Sequence, residues 1–266
     1  MGRIDAVFRQ TALEGRSALI TFVTAGDPDI QMTERLLQRL SAAGADIIEL
    51  GMPFSDPMAD GPTIQLASER ALSAGTTLEG ILGCVSQVRQ QGLETPVVLM
   101  GYYNPIHAYG VEKFAADAAT AGVDALLIVD LPPEESASLL RNCRRHGLEL
   151  IFLLAPTSGA ERVQRVLSQA GGFIYYVSVT GVTGAASVDM EEVRRTVAAI
   201  KSRTDLPVVV GFGISHPDQA ALFGALADGV VVGSAIVRLF EQYSETELLD
   251  RVDSFVRELR QSLNRH

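Results

Sequence analysis

Eight short apolar runs, each separated from the next by a stretch of helical periodicity, limit what this chain can fold into more than any other feature. The runs are Ala18–Thr24, Asp46–Gly51, Pro96–Gly101, Ala125–Val129, Glu149–Leu154, Phe173–Ser178, Pro207–Gly211 and Gly229–Val232. They carry Val, Ile and Leu at consecutive positions, as strands covered on both faces do. Between them lie helical patterns such as Gln31–Ala43, Val111–Ala121, Glu134–His146, Ala160–Ala170 and Met190–Lys201. Gly44, Gly122, Gly147 and Gly171 follow four of these, where a left-handed cap would turn the chain into the next strand. An open doubly wound sheet also satisfies the alternation. Eight units in 266 residues, without linker or composition break, favour a single-domain α/β architecture over residues 1–266, a (β/α)8 TIM barrel. Extra helical material follows the second run (Thr63–Ala74, Leu78–Gln91) and the eighth (Ser234–Tyr243, Glu247–Leu263).

The charge balance excludes several partners. A formal net charge of −10 leaves no basic footprint for nucleic acid or an anionic membrane, so an anionic substrate would need a local device. Cys84 and Cys143 are far apart and outside any CxxC spacing, which suits a reduced compartment. His107, His146, His216 and His266 show no metal-ligand spacing, so no metal is expected. No apolar stretch approaches the roughly 18 residues of a membrane span. The opening residues, Met1 to Ala6, resemble neither a signal peptide nor a myristoylation site. A cytoplasmic protein is the expectation.

In a barrel, chemistry sits at the C-terminal strand ends and the loops beyond them. On the second run, Ile47, Glu49 and Gly51 share one face and Ile48 and Leu50 the other. The apolar pair should meet the helices, so Glu49 should point into the barrel mouth. Lost solvation there would raise its pKa, which suits a group that both gives and takes a proton. A structural glutamate paired with a base is the alternative. The loop that follows, from Pro53 to Pro62, is long for a βα connection and holds Asp60 just before a helix start. Taken alone, Asp60 is as well explained as a helix cap or Asx turn. Asp130, ahead of Leu131-Pro132-Pro133, is explained by capping or loop positioning.

Late glycines suggest where an anion would sit. Gly181-Val182-Thr183-Gly184 follows the sixth run, Gly211-Phe212-Gly213 the seventh, and Gly233-Ser234 the eighth, where it opens a short helix. Glycine lets backbone N–H groups approach a phosphate, and this is the usual phosphate position in the fold. Inward positions near the strand ends, Phe22, Met100, Leu127, Val129, Leu153 and Tyr175, with Phe212, would line an apolar pocket fit for a flat aromatic substrate.

Several of these segments resemble the tryptophan synthase alpha chain family. They are Phe22-Val23-Thr24-Ala25-Gly26-Asp27-Pro28, the stretch from Glu49 to Pro62, Met100-Gly101-Tyr102-Tyr103-Asn104-Pro105, Asp130-Leu131-Pro132, Gly181-Val182-Thr183-Gly184 and Gly211-Phe212-Gly213-Ile214-Ser215. The likeness runs from the first strand to the last helix. It implies retro-aldol cleavage of indole-3-glycerol phosphate to indole and glyceraldehyde 3-phosphate. Glu49 would move protons, Asp60 would accept from the indole N–H, and Tyr175 would lie beside Glu49. Thr183 would join the indole pocket, and Gly184, Gly213, Gly233 and Ser234 would hold the phosphate. The resemblance further implies no cofactor in this chain and a pyridoxal-phosphate-dependent beta chain as partner in an alpha2-beta2 heterotetramer, met by Asp56, Asn104, Pro105 and Pro132. Val179-Thr180 stands where other members carry Arg-Ser, a departure in the sixth-strand loop.

Two other readings remain at this point. Another phosphate-binding barrel, such as indole-glycerol-phosphate synthase, would want a lysine at a strand end, whereas Lys113 and Lys201 fall in helical stretches. A metal-dependent epimerase would want clustered histidines. A non-catalytic activating subunit would have no need of both Glu49 and Asp60.

Overall fold

The computed structural model describes residues 2–177, 189–211 and 213–264. Its eight strands, β1 (Ala18–Thr24), β2 (Ile47–Gly51), β3 (Val97–Gly101), β4 (Ala125–Ile128), β5 (Glu149–Leu154), β6 (Ile174–Val177), β7 (Val208–Gly211) and β8 (Gly229–Val232), pair in sequence order. All pairings are parallel, and β8 returns to β1, so the sheet is a closed barrel and the open-sheet alternative falls. The helices used below are α1 (Arg3–Leu13), α2 (Ile30–Ala43), α3 (Pro62–Ser73), α4 (Leu78–Gln90), α5 (Tyr103–Tyr109), α6 (Val111–Ala121), α7 (Ala137–His146), α8 (Ala160–Gln169), α9 (Met190–Lys201), α10 (Pro217–Gly224), α11 (Ser234–Val237) and α12 (Glu245–Ser262).

The period of two along each strand divides the core. Ile20, Ile47, Val98, Leu127, Ile151, Val209 and Val231 pack together inside the barrel. Leu19, Val23, Ile48, Leu50, Leu99 and Leu126 pack outside it against the helices. Both sets are buried, which is why the strands read as continuous apolar runs.

Aspartates pin the N-terminal edge of the sheet. Asp46, Asp124 and Asp228 accept the backbone N–H groups of Leu19, Val97 and Val208, each at 2.8 Å. Arg16, Arg89 and Lys201 pair with them at 2.7, 2.7 and 2.6 Å. Strand ends that would otherwise leave buried N–H groups unmet are thereby satisfied and held in register. Helix α1, outside the strand–helix alternation, closes the same end. Its Ile4 and Phe8 join the interior cluster, and the Phe8 ring meets Phe173 edge-on at 5.8 Å.

Three of the four expected glycine caps are left-handed, Gly44, Gly122 and Gly147, at φ 105°, 90° and 75°. Gly171 is not. Helix α8 ends in extended backbone at Ala170, and the positive φ, 71°, belongs to Gly172. Gly171 instead makes room for the Glu149 carboxylate, which a Cβ there would displace. Helix α7 also starts later than its periodicity suggests, at Ala137 rather than Glu134.

Candidate active site

Glu49 sits near the end of β2, between Phe22 of β1 and Val98 of β3 in the sheet register. Its side chain is fully buried, and neither carboxylate oxygen has a hydrogen-bond partner among the described residues. No ion pair to it is formed among the described residues, so the paired-base alternative lacks a base. Burial without compensation penalises the charged form and pushes the Glu49 pKa up to about 8. Tyr175 of β6 faces it across the barrel interior. Burial, and then the Glu49 charge, push the Tyr175 phenol well above its ordinary value. Tyr175 is held by shape, since a Cβ on Gly211 would lie 2.5 Å from its hydroxyl.

Asp60 approaches the same mouth from the β2–α3 loop. It does not cap α3: the N-cap is Gly61, with no side-chain cap, and Pro62 begins the helix. Instead Oδ2 of Asp60 accepts a 3.0 Å hydrogen bond from the Tyr102 hydroxyl, which itself accepts from the Ala59 N–H at 3.0 Å. Burial raises the Asp60 pKa and the Tyr102 hydrogen bond opposes that rise without cancelling it. The Phe54 ring lies against Tyr102, centroids 5.2 Å apart. Sequence reasoning selected Asp60 but passed over Tyr102. Its signal was the aromatic pair just beyond a strand end.

The cleft beside Asp60 is lined by Phe22, Met100, Val129, Thr24, Ile64 and Tyr102, the last three not selected as site residues from sequence. Met100, Val129 and Leu153 are partly exposed above the interior cluster that holds Leu127 and Tyr175, which places the expected apolar pocket residues at one mouth. Leu127 is fully buried and lies deeper than the others. Phe22 belongs to a small cluster with Ala67 and Val237, and leaves no room for a side chain on Gly51, where a Cβ would fall 2.6 Å from its ring.

Of the expected phosphate group, Gly233 is the N-cap of α11 and Ser234 its first residue, while Gly213 is exposed at φ 63° beyond β7. Both loops follow the C-terminal ends of strands, hence the end of the barrel where Glu49 lies. The helical stretch expected from Ser234 to Tyr243 is α11 followed by a 3-10 turn at Arg238–Glu241. Thr183, Gly184 and Phe212, with Val179 and Thr180, lie outside the described residues.

Asp56 and Asn104 are exposed and Pro105 and Pro132 half-buried; Asp56 and Pro132 are on loops, and Asn104 and Pro105 in the first turn of α5, at this same end. Asp130 ties the loop after β4 to the head of α5 by accepting the Tyr103 N–H at 2.8 Å, a positioning role rather than a cap on α7. A groove of about 1240 Å³ is at the opposite end, between α1, Pro207 and Asp228. It holds neither Glu49 nor Asp60. Lys201 is bound to Asp228 at that end, and Lys113 pairs with Asp117 on α6, so no lysine stands at the mouth among the described residues. No cluster of metal-ligating residues occurs among them either. No described helix is long and apolar enough to cross a membrane.

Comparison with known proteins decides the family. The sequence profile of the tryptophan synthase alpha chain matches residues 8–264. This chain is a member of the tryptophan synthase alpha chain family. It is 59% identical to the tryptophan synthase alpha chain of Geobacter sulfurreducens over 263 residues, 99% of each chain. It is 58% identical to that of Geotalea daltonii over 260 residues, 98% of each. Among solved structures, tryptophan synthase subunit alpha from Legionella pneumophila superposes with a TM-score of 0.92 at 39% identity, covering 99% of each chain. A Mycobacterium tuberculosis tryptophan synthase structure gives 0.91 at 38% identity, covering 100% of this chain and 99% of that one. The alpha-chain resemblance therefore extends through the whole barrel.

Proposed function

We propose that Glu49 and Asp60 carry out the family's reaction in this chain, a carbon–carbon lyase of tryptophan biosynthesis that cleaves indole-3-glycerol phosphate to indole and glyceraldehyde 3-phosphate. The observation that carries the assignment is the Glu49 carboxyl, fully buried, unpartnered among the described residues and held protonated near neutral pH. A protonated acid facing an apolar mouth is placed to add a proton at indole C3, which turns the ring into an electron sink. Positive charge then develops at the ring nitrogen. Asp60, on the neighbouring loop and oriented by Tyr102, accepts from the indole N–H and stabilises that charge. The Glu49 carboxylate left by that transfer takes the proton of the side-chain hydroxyl as the aldehyde forms. The C–C bond breaks with its electron pair returning to the ring, and Glu49 ends as the protonated acid, ready for another turnover. The two products contain every atom of the substrate, so no water or oxidant is consumed.

Phe22, Met100, Leu127, Val129, Leu153 and Tyr175, with Thr183 and Phe212, would surround the ring. The backbone at Gly213, Gly233 and Ser234, with Gly184, would hold the phosphate, compensating locally for the chain's net charge of −10. This chain requires no cofactor in the scheme. Its partner is the beta chain, which we place in an alpha2-beta2 assembly, with pyridoxal phosphate in the beta chain, contacting Asp56, Asn104, Pro105 and Pro132. Release of indole from indole-3-glycerol phosphate by the purified chain tests the assignment. Glu49→Gln should bind substrate yet turn over about 10²-fold or more slowly. Normal turnover would overturn it. Saturating beta chain should raise the rate by ordering the mouth loops, and equal rates with and without it would remove the coupling.

A further inference from the structure

Asp60 takes its position from α3, and α3 is held by an ion pair that the reaction scheme does not use. At the start of the helix, Gln65 Nε2 donates to the Asp60 carbonyl at 2.8 Å, and the N–H groups of Ile64 and Gln65 both reach the Gly61 carbonyl at 3.0 Å. Farther along, Arg70 forks onto Asp27 of the β1–α2 loop, with Nε and Nη2 at 2.8 and 2.7 Å from the two carboxylate oxygens. Asp27 is 1% exposed. The same loop grips the chain beyond α3. Gly26, at φ 81°, donates to Thr33 Oγ1 at 2.8 Å and lies so close to Thr76 that a Cβ would fall 1.8 Å from its hydroxyl.

Two parallel hydrogen bonds from a planar guanidinium fix direction as well as distance. Asp27 is buried while Arg70 is about a third exposed, and a partly screened ion pair contributes little net stability, so its two-point geometry points to orientation as its use here. Glu241, in the turn that follows α11, adds its charge to the field at Arg70. On the inner side of α3, Ala67 packs with Phe22 and Val237. Ala67 and Arg70 lie three residues apart, so both contacts hold the same face of α3 one turn apart, and any residual displacement of the helix is delivered to Asp60 at its head.

We propose that Asp27 and Arg70 are positioning residues for the cleavage reaction, setting the orientation of α3 so that the Asp60 carboxylate stays aimed at the mouth. The proposal rests on the reading of Asp60 as the group that meets the substrate ring. Neither Asp27 nor Arg70 touches the reacting atoms in this scheme.

The test uses Arg70→Lys and Asp27→Asn, each made in the full chain and again in an Asp60→Asn background, with indole release as the assay. Arg70→Lys keeps the charge but not the fork; Asp27→Asn keeps the shape but not the charge. Each should lower kcat about 10-fold to 10²-fold, the scale of an ångström-level misplacement, with KM changed by less than about 3-fold. In the Asp60→Asn background neither should lower kcat further, which a general structural role would not produce. Equal fold losses in both backgrounds overturn the proposal, as does near-normal kcat in either variant. Normal turnover of Asp60→Asn alone would instead overturn the reading of the site, and the positioning role with it. Thermal unfolding accompanies each assay. Failure of both Arg70→Lys and Asp27→Asn to fold would make the pair a stability element and also overturn the proposal.

Discussion

Replacing Glu49 by Gln should make stability less sensitive to alkali, by an amount the burial of Glu49 determines. The carboxyl titrates near 8 in the folded chain, against an ordinary 4.5. Below about pH 4.5 folded and unfolded states both hold the proton, and the group's contribution is fully present. As pH rises from there, the unfolded state releases the proton while the folded state keeps it, so stability falls until the folded group also titrates. At 1.36 kcal/mol per pH unit, the interval to about 8 costs the native chain up to about 5 kcal/mol, most of it by pH 7. The Glu49→Gln variant carries no such dependence. Its new amide would also be buried without a partner, a cost independent of pH, so the change with pH is the quantity to read. Urea unfolding of both proteins at pH 5, 6, 7 and 8 measures it. The free-energy difference should move steadily in favour of the variant across that range. Parallel pH profiles would refute the reasoning, because Glu49 would then titrate alike in the folded and unfolded states.

Tyr102→Phe removes the donor to Asp60, and kcat should fall about 10-fold. Without that bond the Asp60 pKa rises further, so the acid limb of the kcat profile should shift to higher pH; an unmoved limb would detach Tyr102 from Asp60. Gly233→Ala places a methyl 3.2 Å from the Phe22 Cβ at the head of α11, and KM should rise about tenfold, about 1.4 kcal/mol, in steady-state assays. Asp124→Ala leaves the Arg89 charge held only by the carbonyls of Leu93, Thr95 and Gly122 and the Val97 N–H unmet, at a cost of about 3 kcal/mol. Calorimetry should show a Tm lower by about 6 °C or more.

The barrel was legible because its strands are buried on both faces, so each announces itself as an unbroken apolar run. The direction of Glu49 followed from the same pattern, since Ile48 and Leu50 claim the helix-facing side of β2. Asp60 was harder. A residue on a long loop has no period, and only the motif around it favoured an active-site reading over a helix cap. Tyr102 lies where the strand alternation stops, so its direction was not readable, although the aromatic itself was in view. Helix α1 escaped notice because the eight-fold alternation is complete without it, yet Ile4, Phe8 and Thr11, all buried, form one helical face. Gly171 shows the limit of reading glycine as a cap. The demand there comes from Glu149, 22 positions earlier, a tertiary contact with no local signature.

The central claim is that Glu49 enters the reaction as a protonated acid. Carbon-13 labelling of the glutamate carboxyls, with Glu49→Gln used to assign the Glu49 signal, allows that one group to be titrated directly. A transition near pH 8 is the result this account predicts. A transition near pH 4.5, leaving Glu49 ionised throughout the neutral range, would contradict it.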